Sequence, residues 1–155
     1  MINNDILRRI RYTFELDDSS VMAIFRLGGE DVTRAQMSDW LKKDDDPDYR
    51  SLNDKFMAVF LNGFIVHKRG PKDDGLPVPD EELNNNVILR KLKIALNLQT
   101  EGVIELLSLA DLKVSKPELS ALFRKPGHKH YRKCKDQFLR NFLHGMQLKF
   151  HVEDV

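Results

Sequence analysis

One stretch of the sequence, residues 124–135, concentrates groups that could bind an anion. It contains six Lys or Arg residues, two His residues and no acidic residue. Cations at this density can neutralise phosphates or pair with carboxylates, and an aromatic ring among them can stack on a base. We call this stretch the basic segment. Its candidate binding residues are Arg124, Lys125, His128, Lys129, His130, Tyr131, Arg132, Lys133 and Lys135.

An acidic counterpart lies in the first half of the chain. We call it the acidic loop, and its members are Asp44, Asp45, Asp46 and Asp48. Residues 1–80 carry 12 Lys and Arg against 15 Asp and Glu, a net charge of −3, whereas residues 81–155 carry 13 against 9, a net charge of +4. Because the whole chain has a net charge of only +1, its overall charge indicates neither a nucleic acid nor a membrane as partner. The opposite signs of the halves are the informative feature.

The two charged stretches occupy matching positions of an internal repeat. The pattern Asn-Asn-x-Ile-Leu-Arg at residues 3–8 returns at residues 85–90, an offset of 82 residues. The offset holds without a gap as far as Phe-Leu-x-Gly at residues 60–63, which matches residues 142–145. An ungapped match of this length indicates two copies of one structural unit.

A segment rich in proline and glycine separates the copies. Residues 70–83 contain three prolines and two glycines, and since proline lacks an amide proton and glycine favours turns, no helix is expected to continue through them. The predicted organisation is helical repeat 1 over residues 1–69, a linker over 70–83, helical repeat 2 over 84–151 and a tail over 152–155.

The spacing of apolar residues predicts about four helices in each repeat. Apolar residues recur at helical spacing over residues 6–14, behind an N-cap at Asn3 or Asn4, and a second helix is predicted near residues 20–27. The same pattern appears 82 residues later. The predicted fold class is therefore all-α, with two tandem pseudo-symmetric helical repeats packed together.

The third and fourth helices of each repeat have distinct signatures. Capping boxes headed by Thr33 and Ser115 predict the start of the third helix. The fourth is the longest and most apolar, and its stripes are expected to form the central core. The stripe residues are Leu52, Phe56, Phe60, Gly63 and Phe64 in repeat 1, and Cys134, Phe138, Phe142, Gly145 and Met146 in repeat 2.

Two glycines stand inside these fourth helices. Glycine in a helix interior costs about 1 kcal/mol relative to alanine, so Gly63 and Gly145 are expected to allow close approach of a neighbouring helix. A hinge or a ligand contact is the alternative interpretation.

The single cysteine is expected to be structural. Cys134 occupies the position of Leu52 on the inward stripe, where a thiol is less available as thiolate. The alternative is a nucleophile whose pKa the neighbouring cations would lower if the thiol were exposed. No metal site is expected, because His128 and His130 stand among cations and no second cysteine exists. The sequence indicates no cofactor.

Several polar residues recur in both copies and are interpreted as scaffold. They are Arg8 and Arg90, Asp54 and Asp136, and Tyr49-Arg50 and Tyr131-Arg132. Since they survive in copies that differ in loop charge, they are expected to form Arg–Asp pairs and helix caps. A catalytic role would more naturally leave one copy degenerate.

Nothing in the sequence indicates an enzyme, because the GxxxxGK[ST], GxGxxG, HExxH and GxSxG patterns are all absent. An enzyme stays an alternative that a deep pocket at Asp54 or Asp136 would support. The lone cysteine and the polar start of the chain favour the cytoplasm. The longest apolar segment, residues 56–66, is shorter than the ~20 residues of a membrane-spanning helix, so no membrane partner is expected.

A family resemblance rests on five short stretches taken together. They are Asn4–Arg8, Phe60–Gly63, Lys68–Gly70, Asn84–Asn86 and Asp136–Leu143. Their combination resembles the YehS-like family of small bacterial cytoplasmic proteins, which consist of two copies of a domain of unknown function. The resemblance covers nearly the whole chain and implies a bacterial source. It implies no catalytic residue, cofactor or partner.

Three hypotheses of function follow from the loop charges. The first is a non-enzymatic protein-binding or adaptor module that uses the basic segment. The second is nucleic-acid binding through the same segment, and the third is self-association, with the acidic loop of one chain against the basic segment of another.

Overall fold

The computed structural model describes residues 1–71 and 82–151, and this part of the chain is helical. It contains eight α-helices and no strand among the residues described. The helices are α1 (Asn3–Thr13), α2 (Asp18–Leu27), α3 (Arg34–Leu41), α4 (Asp54–Arg69), α5 (Asn85–Ala95), α6 (Thr100–Leu109), α7 (Lys116–Phe123) and α8 (Asp136–Phe150). The all-α prediction is confirmed.

The chain divides between Leu83 and Asn84 into two compact units of four helices each. Helices α1–α4 belong to the first unit and α5–α8 to the second. Each helix of the second unit begins 82 residues after its counterpart, so the tandem repeat is confirmed. Most of the proposed linker, residues 72–81, and the proposed tail, residues 152–155, lie outside the described residues.

The turns between helices repeat as closely as the helices do. Glu15 and Asn97, which follow α1 and α5, adopt left-handed φ angles of 51° and 54°. Gly29 and its counterpart Asp111 also have positive φ angles, of 107° and 62°. Residues other than glycine rarely adopt positive φ angles, so the recurrence of these angles at matching positions shows that both units use one backbone path.

The helix starts follow local capping chemistry, with two corrections. Thr33 and Ser115 head complete capping boxes, as predicted. The second helices start two residues earlier than predicted, behind Asp17 in the first unit. An N-cap at Asn3 or Asn4 is wrong, because Ile2 is the N-cap of α1 and both asparagines lie inside its first turn.

The core of each unit forms where its second helix packs along its fourth. The first core is aromatic: the ring of Phe25 lies 5.4 Å from Trp40 and 5.1 Å from Phe60, centroid to centroid. In the second unit Leu107 and Leu122 replace Phe25 and Trp40, so that core is mostly aliphatic. The same backbone is filled by two different sets of side chains.

Glycine lets each helix pair approach closely. A Cβ added to Gly63 would lie 1.8 Å from the carbonyl oxygen of Ile24, and one added to Gly145 would lie 1.8 Å from that of Leu106. These distances are far below van der Waals contact, so any larger residue would force the helices apart.

The inward stripes begin before the helices do. Leu52 and Cys134 are buried as predicted, but they lie on the non-helical chain that precedes α4 and α8. Their assignment to the fourth helix is therefore wrong. The helix starts only at Asp54 or Asp136, two residues after the buried side chain.

Candidate interaction site

The loop between α7 and α8 carries the basic segment and is held from inside by one asparagine. Asn86, in the first turn of α5, is 8% exposed and donates from Nδ2 to the carbonyl oxygens of Leu122 at 3.0 Å and Arg132 at 2.8 Å. Its Oδ1 accepts from the backbone N–H of Cys134 at 2.8 Å. One amide group thus ties the end of α7 to the chain that enters α8.

Local hydrogen bonds fold the loop itself. The backbone N–H of His128 donates to the carbonyl oxygen of Lys125, and that of Tyr131 donates to the carbonyl oxygen of His128, both at 2.9 Å. The backbone N–H of His130 donates to Nδ1 of the His128 ring at 3.0 Å. The His128 side chain therefore takes part in the turn and is not a free surface group.

The loop between α3 and α4, which contains the acidic loop, is held in the same way. Asn4 donates from Nδ2 to the carbonyl oxygens of Trp40 at 2.9 Å and Arg50 at 2.8 Å. Its Oδ1 accepts from the backbone N–H of Leu52 at 2.9 Å. Every partner lies 82 residues before the corresponding partner of Asn86.

The turns inside the two loops also match. In the first unit the backbone N–H of Tyr49 donates to the carbonyl oxygen of Asp46 at 3.1 Å. The backbone N–H of Asp48 donates to Oδ1 of Asp46 at 2.8 Å, so this carboxylate does what the His128 ring does in the second unit. The loops share one hydrogen-bond pattern and differ in charge.

The cationic side chains of the basic segment are directed to the surface. The residues with exposed side chains are Arg124, Lys125, His128, Lys129, His130, Arg132, Lys133 and Lys135, whereas Tyr131 is half-buried and Cys134 is buried. Eight of the nine candidate binding residues are therefore accessible to a partner, and Tyr131 offers only part of its ring.

Lys135 occupies a position at which another residue would stabilise the helix better. It is the N-cap of α8 and forms no capping hydrogen bond. Its counterpart Asn53 caps α4, with its Oδ1 accepting from the N–H of Phe56 at 2.8 Å. A cation at a helix N-terminus also opposes the helix dipole. The basic segment thus places charge where local stability favours asparagine.

An open groove of about 630 Å³ lies between the basic segment and the start of α7. Its cationic walls are Lys116, Arg124 and Arg132, and His130 lies beside them. Glu118 is the acidic group among its lining residues. The groove therefore joins the basic segment to a second element of the fold.

Each of the two acidic residues near this groove already has a polar partner. The carboxylate of Glu118 accepts from the Oγ of Ser115 at 2.9 Å in the capping box of α7. Glu101 lies 3.2 Å from Nζ of Lys116. Neither carboxylate forms an ion pair with Arg124 in the described part of the chain.

In the first unit the counterpart of Arg124 is Lys42, whose charge is neutralised by two carboxylates. Nζ of Lys42, which aligns with Arg124, lies 2.7 Å from Oδ1 of Asp39 and 4.0 Å from Oδ2 of Asp48. The hydrogen bond to Asp39, with the charges of Asp39 and Asp48, raises the pKa of Lys42. Of the other acidic-loop residues, Asp44 and Asp45 are exposed and Asp46 is half-buried.

The recurring arginines of α1 and α5 have different surroundings. Arg8 pairs with Asp5 and donates from Nη1 to the carbonyl oxygen of Lys42 at 2.8 Å, which gives the first loop an additional anchor. Arg90 is exposed, and Val87 replaces the acid of the first unit. The second loop is therefore held without this pair.

The recurring aspartates at the start of the fourth helices each accept a hydrogen bond from an asparagine of the first helix of their unit. Nδ2 of Asn3 lies 2.8 Å from Oδ1 of Asp54, and Nδ2 of Asn85 lies 2.7 Å from Oδ1 of Asp136. Each asparagine therefore fixes the first turn of the long helix of its unit to the first helix.

Cys134 is unsuited to nucleophilic chemistry. Its side chain is buried, and burial together with the charge of Asp136 raises the pKa of the thiol from 9.0 to about 12. The neighbouring lysines point to solvent and do not stabilise the thiolate. The thiol therefore stays protonated at neutral pH.

Sequence reasoning missed the residues that hold the loops and complete the groove. Asn4 and Asn86 were visible as a repeated Asn-Asn pair, but that pattern also fits an N-cap. Lys116 and Ser120 line the groove from α7, outside the basic segment.

The described residues, 1–71 and 82–151, contain neither a membrane-spanning helix nor a metal-binding cluster. These residues include no helix that is long and apolar enough to cross a membrane. They also contain no group of three or more His, Cys, Asp or Glu side chains placed to hold a metal ion.

Comparison with known proteins agrees with the repeat. The model of a family described as "Protein of unknown function (DUF1456)" matches the chain twice, at residues 3–70 and 85–151. The chain is 40% identical over 155 residues to "Uncharacterized protein YehS" of Escherichia coli (strain K12), with 99% of each chain covered. No solved structure matches. The chain therefore belongs to the DUF1456 family and carries two copies of its domain.

Proposed function

We propose that this protein is a non-enzymatic binding module that captures a protein partner through the basic segment. The observation that carries the proposal is a set of exposed cations on a loop that Asn86 holds from inside. A pre-ordered loop loses little conformational entropy on binding, so its charges can act on a partner without first being arranged. The unfavourable placement of Lys135 supports the same interpretation, because stability is sacrificed for surface charge.

The test is capture from a bacterial lysate with the whole chain. The binding variant replaces Arg124, Lys125, Lys129, Arg132 and Lys133 with Ser. The control variant replaces five exposed cations outside the segment, namely Arg26, Arg34, Lys55, Lys113 and Arg140, with Ser. A protein partner held by the wild type and the control but lost from the binding variant supports the proposal. Equal capture by all three chains overturns it.

Nucleic acid is a second candidate for the same surface. Tyr131 among the cations favours it, since an aromatic ring can stack on a base, although the ring is half-buried. Splitting the lysate into nuclease-treated and untreated halves separates the candidates. Retained nucleic acid, with affinity that falls steeply as salt rises, would replace the protein-partner proposal.

Self-association is a third candidate, favoured by the opposite charges of two loops with one hydrogen-bond pattern. The acidic loop of one chain would contact the basic segment of another, which gives a head-to-tail contact that closes a ring or continues. Light scattering at low and high salt tests it. A monomer under both conditions excludes self-association, and a salt-sensitive oligomer would make a second copy the partner.

We also propose the cytoplasm as the compartment. Cys134 is the only cysteine of the chain and its thiol is buried, so no internal disulfide can form. Such a chain gains nothing from an oxidising compartment. Fractionation of cells that produce the protein, with recovery outside the cytoplasmic fraction, would contradict this placement.

A further inference from the structure

We infer that the groove beside Arg124 binds a carboxylate side chain presented by an acidic segment of a partner protein, at the place that Asp39 and Asp48 occupy in the first unit. This inference deepens the proposed function and rests on it. It names the group that the partner must present and the residue that anchors it.

The first unit provides an internal template for the missing group. Lys42 has two carboxylates against it, at 2.7 Å and 4.0 Å. At the equivalent positions of the second unit Arg124 replaces Lys42, but Ala121 replaces Asp39 and His130 replaces Asp48. The cation is retained and both acids are absent.

The polar neighbour of Arg124 does not supply a substitute. Nη1 of Arg124 lies 3.4 Å from Nε2 of the His128 ring. Because Nδ1 of this ring accepts the N–H of His130 at 3.0 Å, the proton of the neutral imidazole is on Nε2. Two donors therefore face each other, and an external acceptor would satisfy both.

The shape and charge of the groove fit a carboxylate. Ala121, which aligns with Asp39, lines the groove with a side chain that ends at Cβ. Arg124 and Arg132 both line this space, and guanidinium groups bind carboxylates through paired N–H donors. The volume of the groove, about 630 Å³, offers space for a single acidic side chain.

The surroundings favour a protein segment over a nucleic-acid strand. Glu118 lines the groove, and Glu101 lies beside Lys116, so a continuous chain of phosphates would meet two carboxylates. Tyr131 lines a separate, smaller recess and is half-buried, so the groove itself presents no tyrosine ring for stacking. An isolated carboxylate on a protein avoids the repulsion from Glu118 and Glu101 that a chain of phosphates would meet, and it needs no ring to stack on.

The test restores the missing acids in the whole chain. The variant Ala121→Asp/His130→Asp fills the groove from within, and it should fold because the first unit carries the same acids at the equivalent positions, Asp39 on α3 and Asp48 on the loop that follows. The probe is a fluorescein-labelled penta-aspartate peptide, followed by anisotropy at low salt. We expect the affinity for this peptide to fall at least tenfold.

The matched control adds the same charge away from the groove. Pro126→Asp/Gly127→Asp copies Asp44 and Asp45 of the acidic loop, and a Cβ at Gly127 meets open space. Long-range repulsion alone would weaken binding equally in both variants and would overturn the inference. A threefold or smaller loss in the control, against tenfold in the groove variant, supports it.

Further arms separate the possible failures. Peptide binding that the groove variant keeps but the five-serine variant loses would reject the groove and leave the proposed function standing. No binding of the peptide by the wild type would reject a site for acidic segments. A ten-nucleotide oligo-dT that binds in place of the peptide, and that the groove variant releases, would assign the site to nucleic acid.

Discussion

Asn86 holds the loop of the second unit by the same three hydrogen bonds with which Asn4 holds the loop of the first. In each case one buried side-chain amide donates to two carbonyl oxygens and accepts from one N–H. Buried backbone groups must find partners, and in each unit one asparagine amide serves all three. The asparagine therefore fixes the loop to the helices, together with one backbone hydrogen bond across each loop, from Arg50 to Asp39 or from Arg132 to Ala121.

Replacing Asn86 with Ala should destabilise the second unit. The change leaves two carbonyl oxygens and one N–H of a buried region without partners, and we expect a loss of about 2–4 kcal/mol in the free energy of unfolding. Urea denaturation followed by circular dichroism measures it. The exposed Gln137→Ala change on α8 is the control and should alter stability by less than about 0.5 kcal/mol. A similar small change for Asn86→Ala would show that the amide does not hold the loop.

Lys135→Asn should stabilise the protein while weakening its affinity for an acidic peptide. Asparagine restores the cap that Asn53 gives to α4 and removes a cation from the helix N-terminus, a gain of about 0.5–1.5 kcal/mol. Lys133→Ser removes the same charge without adding a cap, and it introduces the residue that the first unit has at the equivalent position, Ser51. It should leave the free energy of unfolding nearly unchanged. Thermal denaturation of both variants separates capping from charge. Equal stability of the two would contradict the capping argument.

Gly63→Ala should be strongly destabilising because the added Cβ would lie 1.8 Å from a backbone oxygen. Overpacking against backbone forces the helices apart, and we expect a loss of about 3 kcal/mol or more. Gly102→Ala is the contrasting change. Its Cβ would meet the flexible side chain of Leu98 at 3.1 Å, and alanine favours the helix by up to about 1 kcal/mol. Melting temperatures that shift equally in both variants would reject this difference.

Cys134 should make the protein less stable in alkali. The pKa of its thiol is raised from 9.0 to about 12 in the folded state. Between these values the thiol loses its proton in the unfolded chain but keeps it in the folded one. The contribution of the protonated thiol to the free energy of unfolding is therefore fully present below pH 9 and is lost as the pH rises toward 12. Urea denaturation of wild type and Cys134→Ala across this range isolates the effect. Parallel pH profiles of the two proteins would contradict it.

The helices and the repeat were predictable because their signals are local. Apolar spacing, the capping boxes at Thr33 and Ser115 and the offset of 82 residues each depend on neighbours in the sequence. The helix boundaries came out within a few residues for the same reason. The N-cap at Asn3 or Asn4 failed because an asparagine that caps a helix and one that binds a distant loop look alike in sequence.

The candidate site was predictable only in part. The run of cations in residues 124–135 is visible in the sequence, but Lys116 joins it from another element through folding. The significance of Ala121 depends on its alignment with Asp39 and on the contact of that acid with Lys42. An absent carboxylate becomes visible only once the structure shows what it would have touched.

The buried asparagines also separate two demands that usually constrain one another in a loop. Because each loop is anchored by an asparagine on another helix, and its turn by one side chain, Asp46 or His128, the other outward side chains are not needed for that anchor. The two copies of this chain accordingly carry loops of opposite charge on one backbone path. The charge of the loop can therefore be changed by substitution while the frame that holds the loop stays constant.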